Sequence, residues 1–441
     1  MAMQSAPSAL TLPPASDPAA YWDVARVLSL VGDTLVKIDA EDRPQPALAV
    51  AWQRDSTSRH WQFTLRRAVK FHDGSVASPA AIAQILGALH PNWVVRVSAG
   101  TMNLNSSFPN ADSPMKEVLT IDTDAPAPSL LAELALPRNL ILTRNASGIP
   151  IGTGPFRAAE FQPGKSLKLI SSDESWSGRP FIDGVEIEFG KSLRDQALAL
   201  ELGRADMVEA APEAAAASAR SRVSSSLPVE VMALIFTASS NVQDARVREA
   251  LALSIDRKPI QFVLLKGAAE PTASILPNWM TGYSVVFPTQ PDLPRAKALL
   301  AESRSQALTL SYDPRDPQSQ LIAERIALNA REVGITVQVS MSGADDIRLI
   351  RIAVATPDPA LALREAAREL SLAEPVVRSN SVDDLYQAER SLLEGHGLIP
   401  LFHLPVAHAV GPRVRNWSPN KLGFWNLADI WLETPKLEDS R

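Results

Sequence analysis

The sequence predicts an α/β protein of more than one domain, and three observations carry that expectation. Within Pro46–Gly74, Trp61, Phe63 and Leu65 alternate with Gln62, Thr64 and Arg66 after the polar turn Asp55-Ser56-Thr57-Ser58. Period-two alternation beside short side chains that hydrogen-bond their own backbone marks a half-buried hairpin. Leu308–Tyr312 and Ile335–Val339 read as strands flanking a helix at Gln318–Glu332, a β–α–β unit that layers a helix on a sheet. Finally, the chain has 441 residues, whereas single cores stop growing near roughly 250–300 residues.

Composition narrows the function. Charged residues make up 21% of the chain and the net charge is -6, so no basic surface invites nucleic acid and no block of like charge suggests a tail. There is no Cys, which excludes a thiolate nucleophile, a thiolate zinc site and a disulfide framework. No apolar run approaches the ~18 residues of a membrane span. The six His are scattered without an H-E-x-x-H spacing, so neither a protein-built metal site nor a cofactor is expected. Isolated Ser, His and Asp residues without a G-x-S-x-G elbow make no hydrolase site, and an enzyme is not expected. Gly152-Thr-Gly154 precedes a strand, where a nucleotide fingerprint needs a helix.

The elements follow in order. Residues 1–20, rich in Pro, Ala and Ser, are expected to be a flexible segment. Tyr21–Asp39 offers a helix with Val24, Val27, Leu28 and Val31 at helical spacing, running into a strand at Thr34–Ile38. His72-Asp73-Gly74 is a second turn, and Ser78-Pro79 starts a helix whose apolar face is Ile82, Ile85, Leu86 and Leu89. Ser98–Pro114 reads as irregular, Val118–Asp122 as a strand and Pro128–Leu136 as a helix. Phe156–Phe161 and Ser166–Ile170 form a hairpin about Gln162–Lys165, and Ala210–Ala219 reads as helix. Leu234–Phe236 is a buried strand, Asp244 caps a helix burying Val247, Leu251, Ser254 and Ile255, and another helix runs from Pro259 to Gly267.

Several phrases resemble the family 5 extracellular solute-binding proteins, the dipeptide, oligopeptide and nickel receptors of ABC importers. Pro46, Leu48, Ala49, Trp52, Trp61, Phe63, Leu65, Arg66, Val69, Phe71, His72, Asp73 and Gly74 stand in register with P-x-LA-x-x-W…W-x-F-x-LR-x-x-V-x-FHDG. Ile151-Gly-Thr-Gly-Pro-Phe156 and the run from Arg246 through Ile255-Asp-Arg257 to Gly267 are two further matches. The resemblance implies a periplasmic-binding-protein-like α/β fold of the cluster C type, with two main lobes around a cleft and an additional inserted subdomain. Its main lobe would comprise residues 21–42, 151–245 and 405–441, the insert residues 43–150, and a shortened second lobe residues 246–404.

The resemblance also implies site residues. Asp33 stands where the family often places a ligand-facing Glu, and Leu134-Ala-Leu-Pro-Arg138 resembles the nickel branch, where an Arg and a Trp contact the chelate. Arg138 would then grip a carboxylate through its donor fork, with Trp93 as an aromatic wall. Trp279 falls in a loop near the cleft, and His403 where relatives carry a cleft-facing Tyr. Residue type alone equally allows a capping acid at Asp33, a surface Arg138 and a core Trp93. Relatives hold a peptide's α-ammonium with an Asp in W-x-x-D-Y-x-D-P. Here Ala355 stands at that place while Asp358-Pro359 persists. A buried ammonium lacking a counter-charge is costly, so ordinary dipeptide capture is disfavoured.

The implied function is a receptor that takes a small polar solute, peptide-like or a metal chelate, and delivers it to ABC permease subunits in the membrane. The alternative is a non-transport binding or sensor module of the same fold. A monomer is expected, in the periplasm or at the cell surface. On that reading an export signal has been removed and Met1-Ala2 is a cloning remnant; a cytoplasmic paralogue is the other possibility.

Overall fold

The computed structural model describes residues 1–441 apart from 14–17, 101–115, 213–221, 238–241, 243, 302–306, 317, 342–344, 355, 419 and 435–441. The expectations at Ala355 and for most of a helix at Ala210–Ala219 therefore lie outside the described residues.

Helix α1 (Pro18–Val31) buries Val24, Val27, Leu28 and Val31, one face at i, i+3, i+4 and i+7. The inserted sheet follows, with β1 (Ala49–Arg54) and β2 (His60–Leu65) as the expected hairpin. Ser78 accepts from the Ala81 N–H and caps α2 (Pro79–Leu89). The sheet then gains β3 (Trp93–Gly100) and β4 (Lys116–Thr123), paired antiparallel in the order β1-β2-β4-β3. Ser98–Gly100, expected to be irregular, belong to β3, because Trp93, Val95 and Val97 alternate inward onto the core beneath; the rest of the stretch expected over Ser98–Pro114 lies outside the described residues. Helix α3 (Leu130–Leu134) is shorter than expected and gives way to a 3₁₀ turn at Pro137–Asn139, Pro137 being unable to continue the hydrogen-bond ladder.

Strands β5 (Phe156–Gln162), β6 (Ser166–Ser171) and β7 (Gly184–Glu188) form an antiparallel sheet against α1. The N-terminal residues, expected to be flexible, are built into this layer. Ala2 bridges both Glu188 and Val208, Met3 donates to the Glu188 carbonyl at 2.9 Å, and Met3 is fully buried. Backbone pairing on both sides and an apolar socket order them despite their composition. They join β7 to β8 (Met207–Ala210).

From β8 the chain enters a seven-stranded mixed sheet. Its spine is a pair of long antiparallel strands, β9 (Arg222–Phe236) and, at the far end of the chain, Leu398–Val410. Between them lie β10 (Leu308–Ser311), α4 (Ser319–Glu332), β11 (Val337–Ser340), β12 (Ile347–Ala353) and α5 (Pro359–Glu369). Strands β10 and β11 are parallel, as the β–α–β reading requires. Leu398–Val410, hereafter β13, pairs with β8 at its C-terminal half and with β9 along its length. The two strands therefore form the backbone of the sheet, and the register shifts where Pro228 faces Pro405. Each Pro lacks a ladder donor, and the Val406 N–H is taken instead by Ser226 Oγ at 2.9 Å.

Two of the sequence phrases meet in space. The His72 N–H donates to the Gly152 carbonyl at 2.9 Å, and His72 Nε2 donates to the Gly154 carbonyl at 2.9 Å. Glycine is required there for a second reason. A Cβ on Gly152 would stand 2.1 Å, and one on Gly154 2.8 Å, from the Val31 carbonyl oxygen, so the strand entry lies against the end of α1.

Candidate functional site

A cavity of about 670 Å³ is lined by residues drawn from stretches far apart in the chain. Ser29 to Ile38 form one wall and Ala132 to Leu140 of the insert another. Ser177–Phe181 and Asn420–Asp429 face them, and Thr356-Pro357 of the second lobe closes one side. Its surface is divided about evenly between polar and apolar groups, the apolar part including Leu136, Phe181, Phe424 and Trp425 and the charges being Asp33, Lys37, Arg179 and Asp429. A concave surface that mixes apolar side chains with a few charged groups can both bury and orient a small ligand.

Asp33 alone of the five expected site residues lines this cavity. It sits at the loop between α1 and the following strand, only 5% exposed. Its Oδ2 accepts from Thr153 Oγ1 at 3.0 Å and Trp176 Nε1 at 2.8 Å, and its Oδ1 lies 3.6 Å from Lys37 Nζ. Lys37 and Arg66 stand over the Trp176 ring, 5.3 and 4.3 Å from its centroid. Asp33 is thus a fixed acceptor that positions a Trp and tethers a half-exposed Lys at the mouth.

The structure disperses the other four. Arg138, expected to grip a ligand carboxylate, is saturated from within the chain. Glu133 accepts from its Nε at 2.9 Å and also from Nη2, while both Nη atoms donate to Glu365, Nη2 at 3.0 Å. Two carboxylates on one guanidinium leave no open fork for a third. Trp93 stacks on His90 with centroids 3.6 Å apart, held within the insert because His90 Nε2 is 2.5 Å from Asn139 Oδ1. Trp279 donates to the Pro228 carbonyl at 2.8 Å and carries Lys421 over its ring. His403, expected to face the cleft, is buried in β13 and donates from Nε2 to the Ile275 carbonyl at 3.1 Å. Burial pushes its pKa down to about 4, so it stays a neutral core imidazole.

Sequence reasoning missed a second interlobe cavity of about 220 Å³. Asp23 and Arg26 of α1, Glu209, Glu230, Asp316 and Arg351 line it. Arg351 Nη2 meets Asp316 at 2.6 Å, Arg26 meets Asp23 at 3.0 Å, and Glu230 stands 3.9 Å from each Arg. Burial pushes Asp23 up to about 7 and Glu230 above the ordinary carboxylate range. These residues come from five separate elements with no common spacing, so only the topology assembles them. Among the described residues no group of three or more His, Cys, Asp or Glu is placed to hold a metal.

Comparison with known proteins was made against this geometry. The profile of the bacterial extracellular solute-binding proteins, family 5 (Middle), matches residues 43–353. The nickel-binding periplasmic protein of Escherichia coli is 26% identical over 353 residues, covering 72% of this chain and 66% of that protein. The peptide transport periplasmic protein SapA of Salmonella typhimurium is 26% identical over 357 residues, covering 70% of this chain and 63% of that protein. With the Staphylococcus aureus nickel-binding protein NikA included, the matches span 49–66% of these relatives' own lengths. In structure, NikA from Staphylococcus aureus in complex with Ni(L-His)2 superposes with a TM-score of 0.81 at 16% identity, covering 98% of this chain and 99% of that one. The binding protein AgaA in complex with agropinic acid gives 0.78 at 19% identity, covering 98% of this chain. The fold is therefore the periplasmic-binding-protein fold, as the motifs implied, and the relatives matched are named as binding and transport proteins.

Proposed function

The chain belongs to the bacterial extracellular solute-binding proteins of family 5, and on that premise we propose that it captures a small, partly apolar solute in the 670 Å³ cavity and delivers it to an ABC importer permease. One observation carries this reading: residues 29–38, 132–140, 177–181, 356–357 and 420–429 line one cavity, so a solute there touches stretches that the family resemblance assigns to the main lobe, the insert and the second lobe. A ligand that contacts every lobe favours their closed arrangement by its differential affinity, and the closed shape is what a permease would read. Relatives are named for nickel and for peptides, and a structural neighbour holds agropinic acid. These define the classes to try. Asp33 and Lys37 on one wall and Phe424 and Trp425 on another suit a zwitterionic head with an apolar body. Such a protein works in the periplasm or at the cell surface, as a monomer.

The test is a thermal-shift screen of the purified protein against di- and oligopeptides, nickel with histidine, and opines. Saturation at about a hundred times Kd adds about 2.7 kcal/mol of stability. Ala135→Trp, which fills the cavity from the insert wall, should abolish the shift of any hit. Retention of full binding in that variant would move the solute elsewhere.

A further inference from the structure

The contact between the insert and the second lobe is unusual in what makes it. Arg138, between the cavity-wall residues Pro137 and Leu140, presents both Nη atoms to the two carboxylate oxygens of Glu365 on α5. Glu133, its neighbour in the insert, takes the other edge of the guanidinium. Nearby, Ser129 Oγ donates to Asp358 Oδ2 at 2.9 Å across the same boundary. Beneath the polar layer Leu361 of α5 packs with Tyr21, Trp22, Ala25 and Leu136. Helix α5 thus brings a carboxylate across the boundary onto the insert's Arg, with an apolar footing under it.

A guanidinium binds a carboxylate end-on through two parallel N–H donors, the same geometry whether the carboxylate is free or built into the chain. Arg138 has one such end-on face, and Glu365 holds it. We propose that Glu365 is a specificity-determining residue: supplied by the second lobe, it occupies the guanidinium face of Arg138 that a solute carboxylate would take, so that the lobes are joined by a resident ion pair and anionic solutes are refused there. Burial alone would raise the pKa of Glu365, but the hydrogen bonds and charges of Arg138 and Arg368 outweigh it and hold the pKa below the ordinary range, consistent with a carboxylate held ionised. This inference rests on the cleft-binding reading only in taking the boundary beside the cavity as the place where solutes enter.

Two measurements test it, one without any solute. Because the chain has no Cys, spin labels can be placed at Asp124→Cys in the insert and Arg378→Cys in the second lobe. The parent should give one narrow distance distribution. Glu365→Gln, which keeps the shape and leaves Arg138 paired with Glu133, should add a longer component. An unchanged distribution would overturn the joining role. In parallel, succinate and citrate are titrated at constant ionic strength against the unlabelled protein, Glu365→Ala, and Glu365→Ala combined with Arg138→Gln. Glu365→Ala should bind at least tenfold more tightly than the parent, and the double variant should lose the gain. Equal binding by parent and Glu365→Ala would overturn the gatekeeping role, as would a gain that survives in the double variant. Should no solute class stabilise the protein in the wider screen, the label distances still decide whether the ion pair joins the lobes.

Discussion

Pro228 lies directly opposite Pro405 in β9 and β13, the two longest strands of the mixed sheet. Neither can donate to the ladder, and the register slips on both sides of Pro228. The pair therefore marks a weak rung of the spine, where fewer backbone hydrogen bonds hold β9 to β13.

Ser226 stitches that rung, accepting from the Val406 N–H at 2.9 Å and donating to the Leu227 carbonyl at 2.6 Å. Ser226→Ala leaves a strand N–H without its acceptor and should destabilise by about 1 kcal/mol. Amide exchange at Val406 should quicken more than at Phe402, deep in the second lobe. Uniform exchange along β13 would show that the rung is no weaker than its neighbours.

Arg138 is the sole cation shared by Glu133 and Glu365 in the described structure, although Arg368 also reaches Glu365. Removing one member of a buried charge network leaves the others desolvated and unpaired. Arg138→Gln should lower unfolding stability in urea by about 3 kcal/mol. A loss below about 0.5 kcal/mol would place the network among solvated pairs.

His403 gives a pH-dependent stability of known sign. Its folded pKa is pushed down to about 4 by burial, whereas an unfolded imidazole titrates near 6.5. Between those values the unfolded chain holds the extra proton, so the stabilisation is whole above pH 6.5 and is lost as pH falls towards 4. His403→Gln keeps a donor for the Ile275 carbonyl without titrating. It should reduce the stability difference between pH 7.5 and pH 4.5 by roughly 3 kcal/mol. Solute affinity in this variant should follow the same profile between pH 5 and 8 as in the parent, since the imidazole is already neutral there.

Met3 tests the built-in N-terminus. It is fully buried among Leu28, Leu167, Ile187 and other core residues of the main lobe. Met3→Ala opens a cavity and should cost about 3 kcal/mol. Calorimetry showing no change would return this segment to a loose surface strand.

The parts of the fold that the sequence announced are those fixed by local physics. The β1–β2 turn, the Ser78 cap and the inward face of α1 each depend on residues a few places apart, and the parallel β10–α4–β11 unit on one continuous stretch of chain. What was hidden depends on distant partners. Leu234–Phe236 read as a short strand because only its end is continuously apolar, while β9 extends back through Ser224, Ser225 and Pro228 by pairing with β13. Composition made residues 1–5 look loose, and backbone bonds to Glu188 and Met207 order them. Site residues failed in the same way. Arg138 carries the chemistry expected of it, a guanidinium gripping carboxylate, but its partner lies 227 residues on. His403 has the right residue type and the wrong burial. Asp33 lines the cavity, but the groups that fix its carboxylate, Thr153 and Trp176, lie 120 and 143 residues on, so its surroundings too depended on distant chain.

The pairing of β8 with β13 has a consequence for biosynthesis. Met207–Ala210 emerges from the ribosome early, yet its ladder partner Ala407–Val410 comes nearly two hundred residues later. Its sheet edge waits through that interval, while the insert, whose pairings β1-β2 and β2-β4 are comparatively local, can form at once. Non-local strand pairing is slow and leaves apolar edges open to other chains. Truncations that end before residue 410 leave the β8 edge unpaired and should aggregate more readily than the full chain.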